Sequence, residues 1–291
     1  MSLNESLNGG VQAKFSKIDE YTIRLSSSLS LRIYSDTKPF NGDIADLQKG
    51  LILVYKGVEA VGEGTGFGAP VIIYPNETFF SGSSQVFLSR ENDSVIIRKE
   101  FFMDKVQRSM FRNVSLKNRK LLAVLRYLAG LYQEHRRTRT PMLKSQSLMR
   151  RMGFHNRFVN VTPNAKVIVT YCLSQGHILV KADFRQIKGK NPQIFMLNEQ
   201  GTLFFKRYLD SNGKKLLDEQ IGAWEPIDSE WASVTNPQGR VGFRLKRLKN
   251  SFLRIGREYL EDSLDWVGLD YELHPNEYYF EYGIEILEDN S

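Results

Sequence analysis

At 291 residues the chain is about twice the usual single-domain length, yet within reach of one large all-β domain. Apolar residues make up 41% and aromatic ones 12%, which excludes the disordered and fibrous classes. No apolar run approaches the ~20 residues of a membrane-spanning helix. The opening MSLNESLNGGVQAKF has neither a basic-then-apolar leader nor an Arg-rich transit pattern, so the expectation is a cytoplasmic protein with no membrane partner.

From the N-terminus to residue 104 the texture is that of short strands separated by turn residues. Tyr21–Leu25, Leu29–Tyr34, Leu51–Tyr55, Val71–Tyr74 and Val95–Arg98 are rich in β-branched residues and bounded by Gly, Asn, Asp and Pro. No helix-length apolar repeat lies between them, so a doubly wound parallel sheet is not expected. Within this region VGEGTGFGAPVIIY places Gly62, Gly64, Gly66 and Gly68 at period two. A phosphate loop would lead into a helix N-terminus, whereas these glycines lead into a Val-Ile-Ile-Tyr strand. In an extended chain they present one bare face, open to close packing, a bulge or a flat ligand ring with Glu63 beside it.

Residues 105–158 form a basic helical segment. They hold fourteen of the forty Lys and Arg but one of the thirty-three acids, Glu134. Leu121, Leu125, Leu128 and Tyr132 recur at three and four residues and predict an amphipathic helix over 115–137, capped by Ser115; a shorter helical segment is expected over 145–152. Lys117, Arg119 and Lys120 stand in the first turn, where positive charge opposes the macrodipole, and Arg136 and Arg137 follow near its end. Such a patch suits an anionic partner, the acidic tail of the same chain or a second copy of the chain. That tail holds eleven Asp and Glu and no Lys or Arg beyond Arg257.

Strand texture returns over 159–291. Asp210-Ser-Asn-Gly213, between Leu203–Leu209 and Lys214–Leu217, predicts a hairpin, and Asn198–Gly201 reads as a second turn. The expected fold is mainly β, a large antiparallel sandwich with one helical insertion. Its three segments, 1–104, 105–158 and 159–291, would form one continuous domain.

Chemistry-bearing motifs are few. His135, His155, His177 and His274 are scattered, with no ligand spacing, so neither metal nor cofactor is expected. Ser81–Ser84 reads as a turn rather than a nucleophile elbow. Cys172, alone in the run Val167–Leu173, reads as a small buried hydrophobe. Trp266, with Asp265, Asp270 and His274 nearby, combines a flat apolar plate with carboxylates, a pairing suited to sugar rings, although a tryptophan so spaced among leucines before a β-rich end is more often core.

Gly62–Pro70, Asn198–Phe205, Ile221–Trp224, Gly256–Glu258 and Leu264–Leu273 together resemble an uncharacterised prokaryotic family whose texture is similar to the galactose mutarotase-like and polysaccharide-lyase β-supersandwich group. The resemblance implies a large antiparallel sandwich and a sugar or oligosaccharide as ligand. The expected site is then a concave sheet face carrying Glu63, Glu199, Arg257, Trp266 and Asp270, with His274 close by. The alternative is a non-catalytic interaction protein that binds nucleic acid or an acidic partner through Lys117, Arg119, Lys120, Arg136 and Arg137.

Overall fold

A computed structural model describes residues 14–35, 50–61, 65–74, 77–91, 94–109, 157–174, 177–187, 191–200, 204–261 and 264–289. In chain order its strands are β1 (Ser16–Ile18), β2 (Glu20–Arg24), β3 (Leu29–Tyr34), β4 (Ile52–Tyr55), β5 (Val58–Val61), β6 (Gly66–Tyr74), β7 (Glu77–Glu91), β8 (Ser94–Ser109), β9 (Arg157–Ser174) and β10 (His177–Asp183). They continue with β11 (Gln193–Gln200), β12 (Arg207–Asp210), β13 (Lys215–Leu217), β14 (Glu225–Pro226), β15 (Trp231–Thr235), β16 (Val241–Lys246), β17 (Ser251–Glu261), β18 (Leu264–Leu273) and β19 (Tyr279–Glu288). A 3-10 turn, Asp218–Gln220, is the one helical element among the described residues. The mainly-β expectation therefore holds, and each of the five strands expected before residue 104 overlaps an observed one, with Leu25 and Leu51 just outside β2 and β4. The expected helices over 115–137 and 145–152 lie outside the described residues.

Fifteen strands form one antiparallel sheet in the order β13-β12-β15-β16-β19-β10-β9-β8-β7-β6-β11-β18-β17-β14, with β1 added on β7. A second sheet has the order β2-β3-β4-β5. In the large sheet β6, β7 and β8 from the first half of the sequence form a block between β9 and β11 from the second half, and the buried side chains of both halves join those of the small sheet in one hydrophobic cluster.

The large sheet doubles back on itself. Tyr271 of β18 packs edge-on against Phe280 of β19 at 5.1 Å, and Phe67 of β6 against Phe243 of β16 at 5.0 Å, although these strands stand far apart in the sheet order. Burial of this aromatic surface is the main force holding the layers face to face. Hydrogen bonds set their register: Tyr171 of β9 donates to the Phe67 carbonyl at 2.8 Å, and Tyr282 of β19 donates to Asn198 Oδ1 of β11 at 2.8 Å. The two edge strands, β13 and β14, are consecutive in the chain, so residues 218–224 bridge the open ends. Within that bridge the Arg257 N–H donates to the Gly222 carbonyl at 2.8 Å.

Four local expectations change. Asn198–Gly201 is not a turn up to residue 200: Asn198 and Glu199 lie inside β11, because the Asn198 side chain finds its partners within the sandwich. Ser81–Ser84 lies within β7, where the register shifts between Ser81 and Ser83, so Gly82 marks a bulge. Cys172 is half-buried, for it faces away from the core that its neighbours Tyr171 and Leu173 enter. The glycine run is not one regular strand either: β5 ends at Val61, β6 starts at Gly66, and Gly68 has φ +73° opposite a register shift at Leu197/Asn198.

Close packing accounts for the two glycines of that run that are described. A Cβ on Gly68 would lie 3.0 Å from the Tyr171 hydroxyl, and one on Gly66 would lie 3.1 Å from the Leu51 carbonyl oxygen. Their bare side admits the protein's own atoms. Gly62, Glu63 and Gly64 lie outside the described residues.

Candidate functional site

The β12–β13 hairpin, the most legible turn in the sequence, supports a neighbouring loop. Asp210 Oδ1 accepts from the N–H groups of Asn212 and Lys214, each at 3.0 Å. The turn so fixed reaches residues 227–230: Asn212 Nδ2 donates to the Asp228 carbonyl at 2.8 Å, and the Glu230 N–H donates to Ser211 Oγ at 2.9 Å. A second loop, 247–250, is tied to the first by the Arg247 N–H donating to the Glu230 carbonyl at 2.8 Å. It is tied to β18 by the His274 N–H donating to the Asn250 carbonyl at 3.0 Å.

Between these loops and the ends of β17 and β18 lies a cavity of about 700 Å³. Its wall combines apolar Pro226, Ile227, Leu248, Phe252 and Leu253 with Asp228, Glu230, Arg247, Lys249, Ser251 and His274. That volume falls within the range of small-molecule sites. Phe252 is 52% exposed, unusual for a large aromatic in a strand, and its ring stands 4.5 Å from that of His274. Asp228 and Arg247 form an ion pair at the rim. An exposed aromatic plate beside carboxylates, cations and an imidazole can stack on the C–H face of a ring and exchange hydrogen bonds with its hydroxyls.

Among the expected site residues with described side chains, His274 lines this cavity. Glu199 and Asp270 are buried on neighbouring strands. Glu199 pairs across the ladder with Gly268, two residues from Asp270 along β18, and Asp270 Oδ1 accepts from the Asn198 N–H at 2.9 Å. Asn198 Oδ1 in turn accepts from Gly68 N–H at 3.2 Å and from Tyr282. Desolvation pushes the Tyr282 hydroxyl well above the ordinary phenol range, so it remains a donor.

Arg257 is nearly fully buried, and its Nη1 donates to Asp218 Oδ1 at 3.1 Å. Lys206 Nζ stands 3.4 Å from the other oxygen of Asp218. Burial pushes the Asp218 carboxyl up, but the Arg257 hydrogen bond and the two positive charges outweigh it and hold the group below its usual range. Trp266 pairs with Glu258 in the β17–β18 ladder. Lys117, Arg119, Lys120, Arg136 and Arg137 lie outside the described residues.

Several acids of the C-terminal segment have partners within the sandwich: Glu281 pairs with Lys181, Glu285 with Arg244 and Glu272 with Arg254. Among the described residues no three His, Cys, Asp or Glu converge as metal ligands, and no helix is long and apolar enough to cross a membrane.

Sequence reading overlooked Phe252, Asp228, Glu230, Arg247, Lys249 and Ser251. Period two carried a signal for one of them. In Ser251-Phe-Leu-Arg-Ile255, Leu253 and Ile255 face the core, which puts Phe252 on the opposite face. The loop residues meet only through pairing between distant strands, so no local spacing announces them. Fold and site together define a β-sandwich with a mixed polar and aromatic cavity at the edge of its large sheet. Comparison of the chain with protein-family models, curated proteins and solved structures finds no match.

Proposed function

We propose that this is a carbohydrate-binding protein and that a sugar or oligosaccharide seats in the cavity against Phe252. The observation that carries the reading is the exposed Phe252 ring, held beside His274 in a cavity that Asp228, Glu230, Arg247 and Lys249 also line. An apolar ligand would offer no partner to Glu230 and Lys249 and would lie against the charged Asp228–Arg247 pair; a polyol offers both a C–H face and hydroxyls. The resemblance of the sequence to the galactose mutarotase-like group points to the same ligand class by analogy of fold alone.

Thermal denaturation with galactose, glucose, N-acetylglucosamine and glucuronate tests this. At least one sugar raises Tm in the wild type, and Phe252→Ala abolishes the rise. The competing interaction-protein reading rests on the charge of residues 105–158. It would prevail if no sugar moved Tm while heparin and DNA binding disappeared on neutralising Lys117, Arg119, Arg136 and Arg137.

A further inference from the structure

The neighbouring strands β13, β12, β15 and β16 turn one side of their sheet to the core, where Tyr208, Ala232, Val234, Phe243 and Leu245 are buried. Their opposite side carries charge of one sign. Period two puts Lys215, Arg207, Arg244 and Lys246 there, and no Asp or Glu of these four strands shares that side. Arg244 is paired with Glu285 of β19. Arg207, Lys215 and Lys246 are exposed and have no carboxylate within ion-pair distance among the described residues.

An apolar stripe crosses the same side. Leu209 pairs with Lys215, two residues from Leu217 on β13, and with Ser233, two residues from Trp231 on β15. Leu217, Leu209 and Trp231 are therefore diagonal neighbours, about 7–8 Å apart at each step and about 15 Å from end to end. Leu217 is 55% exposed and Leu209 37%, while the half-buried Trp231 ring has the Arg244 guanidinium over it at 4.3 Å. Arg207 and Lys215 stand on opposite sides of the stripe, and Lys246 pairs with Trp231 at its far end. Adjoining exposed leucines gain by being covered, and the flanking cations gain from carboxylates.

We infer that this face docks an acidic amphipathic helix of a partner protein, its apolar side along Leu217, Leu209 and Trp231 and its carboxylates against Arg207, Lys215 and Lys246. This does not depend on the carbohydrate reading. Charge fixes the sign of the partner, and the chain's own segment 105–158, with fourteen Lys and Arg against one acid, has the wrong one. The leucines fix its chemistry. A nucleic-acid backbone neutralises cations but offers aliphatic side chains no apolar surface, and the aromatic ring a base would stack on is already covered on one side by Arg244. Strand addition beside β13 is blocked, because that edge is three residues long and the Leu217 N–H already donates to Gln220 Oε1 at 2.9 Å. Three turns of helix rise about 16 Å, the length of the stripe, and a helix presents apolar and acidic residues side by side.

The test is fluorescence anisotropy with a labelled synthetic helix that has leucines along one face and glutamates elsewhere, beside a scrambled peptide of the same composition. The full chain is expected to bind the striped peptide, less tightly as salt is added, and the scrambled one about tenfold more weakly or worse. Lys215→Glu with Lys246→Glu, and separately Leu209→Ser with Leu217→Ser, should each weaken the striped peptide about tenfold. All four side chains lie on the surface, so both variants should keep the wild-type Tm; if one loses it, the other decides. No binding of the striped peptide by the wild type would overturn the inference. Equal affinity for the scrambled peptide, or undiminished binding in a variant of wild-type Tm, would do the same. Tighter binding of oligothymidylate or of phosphatidylserine vesicles, lost in the charge variant, would assign the face to nucleic acid or lipid instead.

Discussion

Two glycines show how the same residue serves different physical needs. Gly213, in the β12–β13 turn, has φ +81° with nothing within 4 Å of where a Cβ would sit. Its role is backbone conformation alone. Gly213→Ala should cost about 1 kcal/mol and Gly213→Asn much less, since Asn tolerates the left-handed region. Gly268 on β18 is the reverse case, for a Cβ there would stand 2.4 Å from the Asn198 carbonyl oxygen and 2.8 Å from Glu199 Cα. Those are backbone atoms that cannot swing aside, so Gly268→Ala should cost at least about 1–3 kcal/mol. Urea denaturation of both variants checks the pair; equal, small losses would mean that β11 and β18 yield more readily than their packing suggests.

At the scale of elements, the β12–β13 hairpin links legible sequence to the cavity. Asp210 holds the turn through Asn212 and Lys214, and its other oxygen accepts from the Tyr208 hydroxyl at 2.8 Å. Asp210→Ala would remove these acceptors and release the loop 227–230 that leans on the turn. It should cost about 1–3 kcal/mol and weaken sugar binding without touching the ligand. A stability loss with sugar affinity intact would show that the loop holds its place unaided. The hairpin was readable because Asn-Gly turns are local. Asn198–Gly201 misled for the opposite reason: its residues are turn-formers by local preference, but Asn198 accepts from Gly68 and Tyr282, residues more than eighty positions away. Tertiary pairing overrides propensity there. Lys99 shows the same limit. It follows Ile97 and precedes Phe101 and Met103 on the core face of β8, fully buried, its Nζ donating to the Tyr34 carbonyl at 3.0 Å beside the Tyr34 and Phe101 rings. Nothing local marks a lysine for that place. The cavity was hidden likewise, since its wall is assembled from β14, β17 and the segments that follow β14, β16 and β18.

For the whole molecule, closure of the folded-over sheet and its buried tyrosines set the pH range of stability. Asp218 fastens the bridge between the edge strands to Arg257, and its pKa is lowered in the fold. The stabilisation it provides is therefore complete above the unfolded carboxylate value near 3.9 and lost as pH falls through the lower folded value. Because the carboxylate is 40% exposed, water screens the pair, and Asp218→Asn should cost about 1 kcal/mol at neutral pH. The alkaline limit has the opposite sign. Desolvation raises the pKa values of Tyr171, Tyr271 and Tyr282, so the unfolded chain releases protons above about pH 10 that the folded one retains. Stability should be intact below that pH and then fall by up to about 1.4 kcal/mol per pH unit for each tyrosine. Urea midpoints recorded as pH is raised check this, and a flat profile to about pH 11 would contradict the burial of the three hydroxyls.

The central claim is that a sugar seats against Phe252 between the 227–230 and 247–250 loops. An amide chemical-shift map recorded while galactose, glucose, N-acetylglucosamine and glucuronate are titrated in turn tests it most directly. The account predicts saturable shifts concentrated at residues 226–230, 247–253 and 274. Shifts centred instead on Glu199 and Asp270, or an absence of saturable shifts with all four sugars, would contradict it.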